Sequence, residues 1–228
     1  MKTTISSFLS KSNNIKNEII KNNFEKVIKV NKRNPFNNKQ FWESKYSTKN
    51  EPLNWYILFE EFYKKLGYYF SKKDNNILNV GAGNSEISER LYLEGFKRII
   101  NIDYSKEVVM AMTKRYQTLN YNIPYFEMDM RMLIFDESIF DIVLDLGGSD
   151  CLLCSRSPLS DYKDFSHQVH KVLKENGIYI RITLFKNLEK YDIKQYYDES
   201  KFELKETFTT DIKGDRVFVF KKKELITI

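Results

Sequence analysis

The fold is decided by residues 77–85, which read Ile-Leu-Asn-Val-Gly-Ala-Gly-Asn-Ser. The apolar run at the start of this stretch is typical of a short buried strand in a parallel sheet. Gly81 and Gly83 permit a tight turn after that strand, and the apolar spacing of residues 87–93 predicts a helix that ends at Gly95. The loop amides and the helix N-terminus should therefore face whatever binds above the strand.

A second apolar run, residues 99–102, ends in Asp103, which lies 22 positions after Gly81. That spacing suits a carboxylate that hydrogen-bonds to a ribose. A glycine pair alone is weak evidence, since such turns are common in α/β proteins of unrelated function. The strand, the turn, the helix and the acidic strand end together favour a nucleoside site over a purely structural turn. Glu86 replaces the third glycine of the dinucleotide fingerprint, which disfavours a pyrophosphate ligand.

With these motifs the sequence resembles the class I S-adenosylmethionine-dependent methyltransferases, whose first motif is a strand followed by Gly-x-Gly. Residues 81–85 and 103–105 resemble more specifically the group that methylates lysines of translation elongation factor 1A or of citrate synthase. The resemblance covers roughly residues 41–185. It implies S-adenosylmethionine as cofactor, S-adenosylhomocysteine as product and a protein with an accessible lysine, such as a translation factor, as substrate.

The resemblance also implies a set of cofactor contacts. Aromatic residues before the first strand would cover the cofactor, although core packing is an equal alternative for Trp55. Asp129, at the end of a third strand near residues 125–128, would bind the adenine amino group, unless it is simply an exposed residue at a strand end. The implied cofactor-binding residues are Trp42, Tyr46, Trp55, Gly81, Ala82, Gly83, Asn84, Asp103, Tyr104, Ser105, Asp129, Met130, Arg131 and Leu146.

The fourth predicted strand, residues 140–144, leads into a loop that should face the reacting methyl group. In the resembling family this loop reads acidic-Lys-Gly, with an aspartate three residues after the glycine. Gly147 and Asp150 match that pattern, whereas Leu146 replaces the lysine. Asp145 and Asp150 are the candidate catalytic residues, because either carboxylate could orient an amine. The lost lysine leaves open a non-catalytic cofactor-binding subunit, and a pocket shaped by residues 151–161 would suit a small-molecule methyltransferase instead.

The remaining pattern predicts the fold class. A fifth strand spans residues 178–184, and residues 201–210 and 216–222 alternate apolar and polar side chains as an antiparallel hairpin does. We therefore expect an α/β fold with the seven-stranded, Rossmann-like sheet of class I methyltransferases. Five parallel strands precede a C-terminal antiparallel hairpin in this arrangement, and helices cover both faces. An apolar helix over residues 53–69, with Leu58, Phe62 and Leu66, should cover one edge of the sheet.

The charge of the chain is unevenly placed. Residues 1–50 hold 11 basic and 3 acidic residues, a local charge of +8, and the remainder carries −2. We expect residues 1–40 to form a basic, weakly helical or partly disordered extension and residues 41–228 to form the methyltransferase domain. A nucleic-acid cleft would need a basic stripe, so none is expected at the catalytic body. The oligomeric state is left open.

The cysteines, the histidines and the N-terminal residues indicate the cellular compartment and whether a metal is expected. Two cysteines among 228 residues cannot form a disulfide scaffold, which favours a reducing, cytoplasmic location. The N-terminus is rich in Ser, Thr and Lys, as organelle transit peptides often are, so import into an organelle is the alternative. No apolar stretch is long enough to span a membrane. Cys151 and Cys154 have no further cysteine to complete a zinc site, and His167 and His170 are expected to be solvated, so no metal is expected.

Overall fold

The computed structural model describes residues 35–48, 56–184, 198–211 and 214–224. The strands are β1 (Ile77–Val80), β2 (Ile99–Asp103), β3 (Tyr125–Glu127), β4 (Phe140–Leu146), β5 (Leu173–Thr183), β6 (Phe202–Thr209) and β7 (Arg216–Lys222). The helices are α1 (Lys39–Thr48), α2 (Phe59–Leu66), α3 (Ile87–Leu93), α4 (Lys106–Thr118) and α5 (Pro158–Val172), with 3-10 helices at Pro35–Asn37, Gly67–Tyr69 and Ser149–Cys154.

The strands form one sheet in the order β3-β2-β1-β4-β5-β7-β6. The first five in this order pair in parallel, and β7 runs antiparallel to both β5 and β6. This confirms the predicted five parallel strands with a C-terminal hairpin. Because β2 and β4 lie on opposite sides of β1, the order in which strands are added to the sheet reverses at β1. A crevice opens there, at the carboxyl ends of these strands.

Helices cover both faces of the sheet, as predicted. Successive strand residues point to opposite faces, so β1 contributes Ile77 to one core and Leu78 to the other. The first core packs against α2, α3 and α4 and the second against α5, which contributes Phe165 and Val169. β1 is buried along its whole length, as expected for a central parallel strand.

Three helix predictions need correction. α2 begins only at Phe59, because Leu58 has an extended backbone, and Leu58 is 38% exposed whereas Phe62 and Leu66 are fully buried. α5 ends at Val172, where the chain turns directly into β5, so that strand is longer than predicted. His170 is not solvated: it is buried, its ring packs edge-on against a phenylalanine of β6, and burial lowers its pKa to about 4.

The boundary between the basic extension and the domain stays a prediction, since most of the extension is outside the described residues. The 3-10 helix at Pro35–Asn37 contacts helix α1, because the Trp42 indole Nε1 donates to the Phe36 carbonyl at 2.8 Å. Within the described ranges, every helix is too short or too polar to cross a membrane.

Candidate active site

A cavity of about 330 Å³ lies at the carboxyl ends of β1, β2 and β4. The predicted site residues that line it are Trp42, Tyr46, Gly81, Ala82, Gly83, Asp103, Tyr104, Asp129, Met130, Arg131, Leu146 and Asp150. Trp55 lies outside the described residues. The structure thus brings together most of the groups that the sequence places on five separate segments.

The glycine turn after β1 forms the floor of the cavity. Gly81 and Gly83 have φ values of +57° and +55°, which side chains rarely tolerate. A Cβ at Gly81 would lie 2.8 Å from the Cα of Gly148 and 2.9 Å from the Cε of Met130. Glycine is therefore required for the turn after β1 and the loop after β4 to approach each other.

Asp103 joins the glycine turn to the end of β2. Its Oδ2 accepts from the Gly83 amide and its Oδ1 from the Ser105 amide, both at 2.9 Å. Burial raises the pKa of this carboxyl to about 6. Because a carboxylate has about four acceptor positions, Asp103 keeps capacity for a ligand hydroxyl at the cavity surface.

Two predicted cofactor contacts lie behind the cavity wall. Ser105 is fully buried and is the N-cap of α4, since its Oγ accepts from the Val108 amide at 3.5 Å. Asn84 is 5% exposed and does not line the cavity. Both residues follow lining residues in sequence, and their predicted contact rested on the family resemblance. Their place in the structure is to support the cavity wall.

Helix α1 covers the cavity with aromatic side chains. Trp42 stacks on Tyr46 with ring centroids 5.7 Å apart, and the Tyr46 hydroxyl reaches the turn, where a Cβ at Gly83 would lie 2.7 Å from it. Glu43 fastens this helix, because its carboxylate accepts from the Lys106 amide at 3.0 Å and from the Glu107 amide at 2.9 Å, at the N-terminus of α4. Sequence reasoning missed Glu43, since the helix that it caps is distant in sequence.

The acidic residue after β3 forms a fork with Arg131. The guanidinium Nη2 donates to Asp129 Oδ2 at 2.6 Å, and Nη1 donates to Asp161 at 2.8 Å. Burial opposes ionisation, but the hydrogen bonds from Arg131 outweigh it, so the pKa of Asp129 is lowered. Asp129 is therefore an ionised group of the cavity wall, half-exposed and within reach of a ligand amino group.

The catalytic assignment of Asp145 needs correction. Its side chain is fully buried and does not line the cavity. Oδ2 accepts from the Tyr179 hydroxyl and Oδ1 from the Ser149 amide, both at 3.0 Å, and the Arg181 Nε lies 4.0 Å away. The side chains of β4 alternate between the two faces of the sheet, and Asp145 shares with Tyr179 the face that α5 covers, so it does not face the cavity.

Asp150 does line the cavity, at the end where β4 and β5 finish. Its Oδ1 accepts from Arg181 at 3.1 Å and from the Thr183 hydroxyl at 2.7 Å. Its Oδ2 accepts from the Leu184 amide at 3.0 Å and from the Tyr56 hydroxyl at 3.4 Å. Burial raises the pKa of Asp150, and the nearby guanidinium opposes that effect.

Sequence reasoning missed Arg181 and Tyr56. Arg181 pairs in register with Asp145 across β4 and β5 and is 1% exposed. The available signal was a charged residue inside an otherwise apolar strand, which almost always has a buried partner. Position 146 is leucine where the resembling family has lysine, but Arg181 still provides a buried cation near this end of the cavity.

The lining fits S-adenosylmethionine. The Tyr104 hydroxyl is buried and has no hydrogen-bond partner among the described residues, although its side chain lines the cavity. Asp103 offers acceptors for ribose hydroxyls, Asp129 an acceptor for an amino group, and Met130 an apolar surface for a flat base. The turn at Gly81 exposes backbone to the cavity, where a ligand could approach it closely.

Comparison with known families agrees with the fold. Residues 77–177 match the model of a family described as "Methyltransferase domain". The matched segment runs from β1 into β5, and the sheet has the strand order expected of class I methyltransferases, which confirms the resemblance.

The chain is also similar in sequence to two mouse methyltransferases. The chain is 32% identical over 152 residues to the mouse eEF1A lysine and N-terminal methyltransferase, which covers 65% of this chain and 22% of the relative. It is 34% identical over 139 residues to mouse EEF1A lysine methyltransferase 4, and the aligned region covers 60% of this chain and 54% of the relative. The chain thus spans between about a fifth and about half of the length of these relatives.

Solved structures show the same fold. A S-adenosylmethionine-dependent methyltransferase from Methanosarcina mazei superposes with a TM-score of 0.61 at 16% identity, over 72% of this chain and 99% of that chain. Another from Clostridium acetobutylicum gives a TM-score of 0.61 at 11% identity, over 74% and 93%. At these identities the likeness establishes the fold alone.

Proposed function

We propose that this chain is an S-adenosylmethionine-dependent methyltransferase that methylates a primary amine of a protein. The observation that carries the proposal is the open cavity between the glycine turn and Asp103, inside a matched methyltransferase domain. The Gly83 amide donates to the Asp103 carboxylate at 2.9 Å, so the glycine turn and the end of β2 meet at one wall of the cavity, which supports the proposal. We propose the cytoplasm as the location.

S-adenosylmethionine would be held by the glycine turn, Asp103 and Asp129 and would supply a methyl group already activated on sulfonium, which a neutral acceptor amine could take directly. The protein needs no nucleophile of its own. Its residues align the acceptor and exclude water, and such positioning can lower a barrier by about 7–11 kcal/mol. The aromatic cover from Trp42 and Tyr46 serves that purpose here.

The size of the cavity favours a slender acceptor. Its volume is at the low end of the range of about 300–1,000 Å³ found for ligand pockets, so a bound cofactor leaves little room beside it. A lysine side chain is slender enough for such a space, which favours it over a bulky small molecule. The acidic lining, with Asp129, Asp150 and Asp161, attracts a cationic side chain.

The mouse relatives are named for methylation of eEF1A lysines, which makes elongation factor 1A the first protein to test as the acceptor. A free lysine titrates near about 10.4, so the amine must lose a proton before it attacks. Position 146 is leucine where the resembling family has lysine. For this reason, the second candidate function is that of a subunit that binds the cofactor without catalysis.

Two measurements test the proposal. Calorimetry should show saturable binding of S-adenosylmethionine by the purified chain. Incubation with methyl-labelled cofactor and a eukaryotic cell extract should then label a protein band that carries methylated lysine. Label only in small solutes would indicate the small-molecule enzyme, binding without transfer would indicate the subunit, and absence of binding would contradict the methyltransferase assignment altogether.

A further inference from the structure

The carboxylate of Asp150 has no acceptor position left for a substrate. A carboxylate offers about four lone-pair positions. Donors from Arg181 and Thr183 occupy Oδ1, and the Leu184 amide and the Tyr56 hydroxyl occupy Oδ2. Although Asp150 lies at the cavity surface, its hydrogen-bonding capacity is directed to the protein.

Tyr56 is the group at this end of the cavity that retains such capacity. A phenol has one donor and two lone pairs, so Tyr56 can donate to Asp150 and still accept from a ligand. Its hydroxyl lies 3.4 Å from the Gly147 carbonyl oxygen and 3.4 Å from Asp150 Oδ2, and its side chain lines the cavity. Two oxygens with acceptor character, the phenol and the carbonyl, therefore lie side by side.

The backbone holds Tyr56 in this position. Gly147 has a φ of +86°, and a Cβ there would lie 1.8 Å from the Tyr56 Cζ. The ring thus lies directly against a glycine that no larger residue could replace. Burial raises the pKa of Tyr56 well above its ordinary value, so the phenol stays neutral and acts through hydrogen bonds rather than as a base.

We propose that the Tyr56 hydroxyl, together with the Gly147 carbonyl, binds and orients the acceptor amine, and that Asp150 is a positioning residue that acts through Tyr56. This inference rests on the proposed function and names the chemistry of its acceptor site. An amine presents N–H donors to both oxygens and can direct its lone pair to the methyl group. A carboxylate acceptor would instead meet Asp150 and Asp161, which disfavour it electrostatically.

The test is a double-mutant cycle in single-turnover methyl transfer to protein, with labelled cofactor and dialysed cell extract as the acceptor. Tyr56→Phe removes one hydroxyl and keeps the ring. We expect the rate to fall on the order of tenfold to a hundredfold, as when an orienting hydrogen bond is lost, with cofactor affinity unchanged. Asp150→Asn should also lower the rate, but the double variant should be no slower than Tyr56→Phe alone.

Tyr116→Phe is the matched control. Tyr116 is buried, its hydroxyl has no hydrogen-bond partner among the described residues, and it does not line the cavity, so its loss should leave the rate unchanged. Melting temperatures separate folding defects from catalytic ones.

The outcomes are distinct. Wild-type rates in Tyr56→Phe, or additive losses in the double variant, would overturn the inference and leave the proposed function standing. A parallel loss of cofactor affinity in Tyr56→Phe would make the residue a cofactor contact and overturn it as well. A wild-type protein that binds cofactor but transfers nothing would overturn both.

Discussion

The two ends of the cavity are built in different ways. The proposed cofactor end comes from residues 81–83 and 103–104, where the glycine turn and one carboxylate line the cavity. The acceptor end comes from Tyr56, the loop after β4 and the end of β5, where side chains from distant segments converge. A site made of local backbone can be read from a short stretch of sequence, whereas a site made of converging side chains requires the fold.

The largest expected effect concerns the support of the acceptor end. Arg181→Met leaves Asp145 and Asp150 buried without their cation, and breaking such a pair costs about 3–5 kcal/mol. Denaturant unfolding measures this loss. Arg90→Met is the control, because the Arg90–Glu60 pair lies at the surface, where solvent screens it, so its loss should change the stability little. Equal losses of unfolding free energy in the two variants would show that the buried cluster stabilises the fold no more than the surface pair does.

The next effect concerns the glycine turn of the cofactor end. Gly81→Ala places a Cβ against the backbone of Gly148, so the turn must move, and cofactor affinity should fall on the order of a hundredfold. Gly95→Ala pays a similar conformational cost at φ +100° but meets only a flexible lysine side chain. Calorimetry should therefore show a binding loss in the first variant and none in the second. Retained affinity in Gly81→Ala would contradict the close approach of the two loops.

Removal of the carboxylate at the end of β2 should have a smaller effect. Asp103→Ala leaves a ribose hydroxyl without its acceptor, and we expect at least about a tenfold loss of cofactor affinity. Asp136→Ala, at an exposed position outside the cavity lining, is the matched control. Should both variants bind as the wild type does, the ribose contact is misassigned.

The smallest effect is a pH dependence at the cofactor end. Burial raises the pKa of Asp103 to about 6, so the carboxylate takes up a proton and loses its charge as the pH falls through that value. Cofactor affinity should fall about fourfold between pH 7.5 and 5.5, the change expected for a group of that pKa. In Asp103→Asn the profile over this range should be flat. An equal slope in both proteins would assign the titration to another group.

Much of the fold could be predicted because its signals are local. The glycine turn, the acidic end of β2 and the alternation in β6 and β7 each lie within a few residues, and the structure confirms the strands that they predict. Asp145 was predicted to orient an amine, but the pleat of β4 turns its side chain away from the cavity. Tyr56 could not be found from sequence, since its contact with Gly147 depends on a separation of 91 residues.

The most direct test of the central claim is a crystal structure of the chain with S-adenosylhomocysteine. The account predicts the ribose hydroxyls within hydrogen-bonding distance of Asp103, with the amino-acid end of the ligand above Gly81 and Gly83. A ligand bound elsewhere, or bound in this cavity without contact to Asp103, would contradict it.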